Sequence, residues 1–154
     1  MADVLVIGYG NPLRGDDGIG WRAADELEKR WAGHGLARLS FLQLTPEMAE
    51  DVAGAAAVLF IDASCDIPPG AVDCREVEPT PAGAPRSFTH HMKPDTLLAL
   101  ARDLFGRAPR AWLITAGAAD FECGERLTPA VEDALPLLVE RAGEILRQVL
   151  PPRG

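Results

Sequence analysis

Two neighbouring aspartates, Asp16 and Asp17, lie in a glycine-rich stretch between an apolar segment and an amphipathic one. One acidic side chain is explained here by helix capping, because a carboxylate is stabilised beside a helix N-terminus. The second aspartate has no such structural need. A third, Asp62, follows the apolar run Val58–Ile61, although an aspartate at this point can equally begin a turn. Carboxylates brought together in this way can bind a metal ion or accept a proton.

Two of the three histidines, His90 and His91, are consecutive and precede a predicted helix. An imidazole beside two carboxylates would make a three-ligand set for a divalent transition metal, with positions open for water or substrate. Alternatively, one histidine helps to cap the next helix and the other stays in solvent. His34 lies between two glycines and is expected in an exposed turn.

Other kinds of chemistry find less support in the sequence. Gly8 and Gly10 begin like a dinucleotide-binding fingerprint, but its third glycine would fall on Leu13, and Pro12 removes an N–H that a phosphate would need. The chain has no G-x-S-x-G nucleophile elbow and no H-E-x-x-H zinc motif. Its three cysteines form no C-x-x-C pair, which argues for a reducing compartment. A pair of Cys65 with a histidine is conceivable, but no motif supports it.

Strands and helices are predicted to alternate along the chain. The predicted strands are Val4–Gly8, Leu39–Leu44, Ala56–Ile61, Val72–Val77 and Ala111–Ala116. The predicted helices begin after Gly18, at Thr45-Pro46, near Pro94 with an end at Gly106, and at Thr128-Pro129 with an end near Leu150 and a kink at Pro136. This order predicts a single α/β domain over residues 1–154, with three α/β/α layers around a mostly parallel twisted sheet of about five strands. Sites in such sheets lie beyond the carboxyl ends of the strands, and Asp17 and Asp62 are expected to meet there if the first and third strands are neighbours.

The composition restricts the partners that the protein can have. Of its 154 residues, 47% are hydrophobic and 25% are charged, which is typical of a soluble globular protein. The formal net charge of −8 disfavours nucleic acid and anionic membranes and suits a basic peptide or a metal cation better. The N-terminal residues do not resemble a signal peptide, and no apolar run is long enough to cross a bilayer. We therefore expect a cytoplasmic protein, and favour a monomer because no additional apolar helix face stands out.

Several of these segments together resemble one protein family. The stretch Gly8-Tyr9-Gly10-Asn11-Pro12-Leu13, continued by Asp16-Asp17-Gly18-Ile19-Gly20, resembles the amino-terminal signature of the hydrogenase maturation proteases. Ile61-Asp62-Ala63, and Thr89-His90-His91 with the leucine-rich segment 97–101 after it, resemble the other two hallmarks of that family. The likeness continues through Thr115-Ala116-Gly117 and residues 127–131 to the last helix, so it covers nearly the whole chain.

The resemblance implies a compact α/β/α fold and a metal-dependent, nickel-recognising endopeptidase. Members of the family remove the carboxyl-terminal extension from the large-subunit precursor of a nickel–iron hydrogenase after nickel insertion. By position, their metal-binding and catalytic residues correspond to Asp17, Asp62 and His90, with His91 as the alternative to His90. Asp17 is preferred to Asp16 because the second acid of the pair matches the family's ligand. The nickel is expected to come with the precursor. The alternatives are a nickel-handling chaperone or binding module and a different metal-dependent amidohydrolase.

Overall fold

A computed structural model describes residues 3–83, 92–122 and 124–150. Within these ranges the strands are β1 (Val4–Tyr9), β2 (Leu36–Phe41), β3 (Ala57–Ser64), β4 (Val72–Val77) and β5 (Arg110–Gly117). The α-helices are α1 (Ile19–Arg30), α2 (Ala49–Gly54), α3 (Pro94–Phe105) and α4 (Pro129–Val149). Short 3₁₀ turns at Gly15–Gly18 and Pro46–Met48 precede α1 and α2. None of the described helices is both long and apolar enough to cross a membrane.

The strands form one sheet in the order β2-β1-β3-β5-β4, in which only the β4–β5 pair is antiparallel. Side chains alternate between the two faces of a strand, so Val4 and Val6 pack with α1 and α4, whereas Leu5 and Ile7 pack with α2 and α3. The two faces carry separate buried apolar clusters. The predicted three-layer α/β/α fold with a mostly parallel five-stranded sheet is confirmed.

The strand order produces a crevice between β1 and β3. From β1 the chain crosses to β2 on one side, and it then returns past β1 to form β3 on the other side. The connections diverge at this point, as they do between the first and third strands of flavodoxin-like sheets, which bind their ligands there. The carboxyl ends of β1 and β3 therefore form the edge at which a site is expected.

The strand β2 lies earlier in the chain than the predicted segment Leu39–Leu44. Gly35 has a φ of +87°, which lets the chain turn directly into Leu36, the partner of Val4. Leu42 lies past the strand with 63% of its surface exposed. The prediction followed the spacing of apolar residues, whereas the glycine turn and the pairing with β1 decide the register.

The start of α1 lies directly against the ends of the central strands because Gly8 and Gly20 have no side chains. A Cβ added at Gly8 would overlap the carbonyl oxygen of Gly20. We expect Gly8→Ala to lower the free energy of unfolding by about 3 kcal/mol, since the obstacle is backbone and cannot rotate away. Urea unfolding measures this loss. Gly54→Ala is the matched control, because an added Cβ meets no described atom within 4 Å, and similar small effects of both changes would contradict the close packing.

Candidate functional site

A cavity of about 320 Å³ opens at the crevice between β1 and β3. Its lining comes from the ends of β1 and β3, the loops that follow β1 and β2, and two later segments: Tyr9, Gly10, Arg14, Asp17, Leu42, Gln43, Leu44, Asp62, Ala63, Cys65, Met92 and Phe121. The structure thus brings Asp17 and Asp62 together at one edge of the sheet. They are two of the three site residues that the sequence predicts.

The loop between β1 and α1 fixes Asp17 at the cavity. In this loop the Arg14 N–H donates to the Asn11 carbonyl oxygen at 3.0 Å, which closes a turn with Pro12 as its second residue. Gly10 has a φ of +130° and passes beside the backbone carbonyl of Asp17. The Asn11 N–H donates to Asp17 Oδ2 at 2.7 Å. The backbone of the loop therefore orients this carboxylate before any ligand binds.

Asp62 lies inside β3, where it pairs with Thr115 of β5. The predicted end of this strand at Ile61 is therefore wrong, because β3 and β5 continue their pairing to Ser64 and Gly117. The turn interpretation of Asp62 is likewise wrong. Its carboxylate projects from a paired strand, which is a more rigid support than a loop.

The surroundings of Asp62 include Tyr9, the last residue of β1. The pairing of Gly8 with Ile61 places the next residues of both strands side by side, on the sheet face that α2 and α3 cover. The Tyr9 hydroxyl and the Asp62 carboxylate lie close enough for each to affect the pKa of the other. The Ala63 N–H donates to Asp62 Oδ1 at 2.8 Å. Like Asp17, Asp62 is held by a backbone donor.

Burial in the cavity raises the pKa of Asp62 to about 7, and the negative charge of Asp17 adds to this effect. The hydrogen bond from the Ala63 N–H and the nearby Tyr9 hydroxyl lower the pKa and so oppose this effect. Burial and the nearby Asp62 carboxylate also raise the pKa of Tyr9. A carboxyl group that titrates near neutral pH can exchange protons with a substrate.

The raised pKa of Asp62 predicts a pH-dependent stability of the metal-free protein. The folded pKa lies above the unfolded value of about 4, so the stabilising contribution of Asp62 is complete below pH 4 and is lost as the pH rises through 7. We expect Asp62→Asn to be more stable than the parent protein by about 2 kcal/mol at pH 8, and to have little advantage at pH 4. Urea unfolding with a chelator present measures both values. An advantage that does not change with pH would contradict the assignment of this titration to Asp62.

Asp16 has a different environment from its neighbour. Its side chain is fully buried and accepts hydrogen bonds of 2.7–3.1 Å from the Ala119 N–H, the Asp120 N–H, and both the N–H and the hydroxyl of Thr128. It thereby joins the loop before α1 to the segment after β5 and to the start of α4. The capping interpretation of the aspartates is wrong, since no side chain caps α1. Thr128 occupies the predicted N-cap position of α4, but its hydroxyl donates to Asp16 instead.

The charge of Asp16 is stabilised by these donors. Burial by itself would raise the pKa of Asp16, but the hydrogen bonds from Thr128, Ala119 and Asp120 outweigh burial and hold the pKa below its usual range. Asp16 is thus an ionised, buried structural residue, whereas Asp17 faces the cavity.

The predicted ligand His90 and its alternative His91 lie outside the described residues. Met92, which follows them in the sequence, lines the cavity. In residues 3–83, 92–122 and 124–150, no three His, Cys, Asp or Glu side chains assemble into a metal site. His34, expected to be exposed, is half-buried, and its ring packs edge-on against Trp31 with 5.5 Å between centroids.

Tyr9, Arg14 and Phe121 line the cavity but were not among the predicted site residues. Tyr9 and Arg14 belong to the same stretch as Asp17, so their proximity to it was a usable signal. Phe121 reaches the cavity from the segment after β5, and nothing in the local sequence indicates this. Cys65 is an exposed free thiol in the lining.

The chain is similar to proteins of hydrogenase maturation. It is 29% identical over 152 residues to the hydrogenase expression/formation protein HupD of Thiocapsa roseopersicina, an alignment that covers 90% of this chain and 68% of HupD. Its fold matches the hydrogenase maturating endopeptidase HybD of Escherichia coli with a TM-score of 0.76 and 26% identity, over 96% of this chain and 93% of HybD. It also matches the hydrogenase 2 maturation peptidase of Thaumarchaeota archaeon SCGC_AB-539-E09 with a TM-score of 0.70 and 25% identity, over 94% of this chain and 97% of that protein. No protein-family model matches the chain.

These similarities extend over nearly the full length of the described fold, so they are not limited to a common supersecondary motif. HybD and the archaeal peptidase share with this chain the whole layered domain that carries the cavity. HupD, whose similarity to this chain is one of sequence, is named as a protein of hydrogenase expression and formation. In both sequence and fold, the chain is thus similar to the hydrogenase maturation endopeptidases.

Proposed function

We propose that this protein is an endopeptidase that removes the carboxyl-terminal extension from the nickel-loaded large-subunit precursor of a nickel–iron hydrogenase. The observation that carries the proposal is the meeting of Asp17 and Asp62 in one cavity of a fold that hydrogenase maturation endopeptidases share. Each of the two carboxylates is oriented by a backbone N–H. We further propose that the protein acts as a cytoplasmic monomer; its net charge of −8 argues against nucleic acid as a partner.

Asp17 and Asp62, called the acid pair from here on, are suited to binding the nickel that the precursor carries. Two carboxylates in one partly buried cavity repel each other, and a divalent cation would relieve this repulsion and keep both ionised. We propose His90 as the third ligand. In support, Met92, two positions later, lines the cavity, and carboxylate oxygens with an imidazole nitrogen are suitable donors for a divalent transition metal. Nickel in the substrate would then act as the signal that the precursor is ready for cleavage.

The described residues can orient the substrate and transfer a proton. Bound nickel would withdraw electron density from a nearby carbonyl group or water molecule. Asp62 is the proposed base: an oxygen of its carboxylate that does not contact nickel can accept a proton from the attacking water. It can return this proton to the amide nitrogen as the peptide bond breaks. The Tyr9 hydroxyl lies close to the Asp62 carboxylate that makes this transfer.

The proposal is tested by incubating the purified protein with the nickel-loaded large-subunit precursor from the same organism. We expect the precursor to become shorter, and mass spectrometry to show a new carboxyl terminus and a released peptide. The nickel-free precursor and short generic peptides are expected to stay intact. A precursor that changes its nickel content but not its length would favour the chaperone alternative, and cleavage of generic peptides would favour a different amidohydrolase.

A further inference from the structure

Arg14 brings a positive charge to the acidic cavity. Its side chain lines the cavity together with Asp17 and Asp62, and the residue is exposed to solvent. Within the part of the chain that the structure describes, its guanidinium forms no salt bridge, although two carboxylates line the same cavity. The positive charge is therefore available to a group that enters from outside.

The backbone of Arg14 is fixed on several sides. Its N–H donates to the Asn11 carbonyl oxygen at 3.0 Å, and its own carbonyl oxygen accepts the Asp17 N–H at 3.2 Å. Arg14 also forms a β-bridge with Gly124, whose carbonyl oxygen accepts the Gly15 N–H at 2.8 Å. Arg14 is the N-cap of the 3₁₀ turn that contains Asp17, and both residues line the cavity. These contacts fix the Arg14 backbone, and with it the point from which the side chain extends, three residues before Asp17.

We propose that the Arg14 guanidinium binds the carbonyl oxygen of the scissile peptide bond and stabilises the negative charge that this oxygen gains during hydrolysis, an inference that rests on the endopeptidase function proposed above. Asp17 and Asp62 would repel such a charge, and Arg14 is a positive residue in the lining of the same cavity that can offset this repulsion. A guanidinium suits this role because it stays protonated at every physiological pH and presents several N–H donors in one plane.

The reaction step is ordinary peptide hydrolysis. The water oxygen bonds to the carbonyl carbon, and the π electrons of the carbonyl move onto its oxygen, which hydrogen-bonds to Arg14. The proton released by the water passes to Asp62. When the C–N bond breaks, the carbonyl double bond forms again, and the proton on Asp62 passes to the departing amine. Arg14 keeps its own protons throughout, so it contributes only electrostatic stabilisation.

Arg14→Gln and Arg14→Lys test this role in single-turnover cleavage of the nickel-loaded precursor, with enzyme concentration varied to separate the maximal rate from the half-saturating concentration. We expect Arg14→Gln to lower the maximal rate by about 10²-fold, as the loss of one such donor does in other hydrolases, and to change the half-saturating concentration little. Arg14→Lys keeps the charge and should recover part of the lost rate. Arg147→Gln is the matched control, because it removes an equal charge at the last turns of α4, outside this cavity, and should cleave at the parent rate.

The outcomes separate this inference from the proposed function. A parent-like maximal rate for Arg14→Gln would overturn the inference. A higher half-saturating concentration with an unchanged maximal rate would also overturn it, because Arg14 would then contribute only to binding of the precursor. Both results leave the endopeptidase function intact when Asp62→Asn is inactive in the same assay. If the parent protein does not cleave the precursor at all, the proposed function fails first and Arg14 has no carbonyl oxygen to bind.

Discussion

Asp17→Asn and Asp62→Asn are each expected to lower the rate of precursor cleavage by about 10³-fold or more while the protein stays folded. Asparagine keeps the size of the side chain and can still accept a hydrogen bond from the Asn11 or Ala63 N–H. It removes the negative charge that would hold nickel, and it cannot accept a proton from water. Gel mobility of the precursor over time gives the rate, and circular dichroism with urea unfolding checks the fold.

The control for these two variants is Asp133→Asn. Asp133 is an exposed residue of α4 and does not line the cavity, so its replacement should leave cleavage unchanged. Titration with Ni²⁺ gives a second readout, in which both cavity variants should bind more weakly than the parent protein and Asp133→Asn should not. Full cleavage by both Asp17→Asn and Asp62→Asn would remove the acid pair from the mechanism.

The parts of the fold that the sequence predicts well are those governed by local pattern. Val4–Tyr9 and Ala57–Ser64 begin as apolar runs that only the centre of a parallel sheet can bury on both faces, and they are its central strands. The predicted meeting of Asp17 and Asp62 required the rule that carboxyl ends of parallel strands share an edge, and the condition that the first and third strands are neighbours, which they are. An error of a few residues in a strand end does not move that end to another edge of the sheet. The wrong end predicted for β3 therefore left the prediction of the cavity intact.

The features that the sequence analysis missed depend on partners far along the chain. Phe121 enters the cavity lining because the segment after β5 folds back onto the loop before α1, where Gly124 forms a β-bridge with Arg14. The position of β2 depends on its pairing with β1. The local sequence does not determine such pairings. The same spacing of apolar residues is compatible with several registers, and the pairing with a neighbouring strand fixes which one forms.

The pair Asp16 and Asp17 shows this limit most clearly. Both are acidic residues in the same turn, and local sequence gives no reason to assign them different roles. The backbone donors that bind Asp16 lie 103, 104 and 112 residues later, whereas the donor that orients Asp17 lies only 6 residues earlier. Asp16 therefore maintains the structure that presents Asp17 to the cavity, and the same substitution should cost much more stability at Asp16 than at Asp17.

We expect Asp16→Asn to lower the free energy of unfolding by about 3 kcal/mol or more, whereas Asp17→Asn should lower it by less than about 1 kcal/mol. The two oxygens of Asp16 accept every hydrogen bond of this cluster. An amide NH₂ in place of one oxygen would face buried N–H donors, and those donors would lose their acceptor. Urea unfolding of the two variants at pH 7 measures the difference.

The pH dependence of the same measurement identifies the charge of Asp16 as the cause. The folded pKa of Asp16 lies below the unfolded value of about 4, so its stabilising contribution is complete above that pH and is lost as the pH falls through the folded pKa. The stability difference between the parent protein and Asp16→Asn should therefore shrink when the pH is lowered from 6 to 3. Equal losses for Asp16→Asn and Asp17→Asn at pH 7, or a difference that does not change with pH, would show that the buried hydrogen bonds of Asp16 are not what holds the loop before α1 against α4.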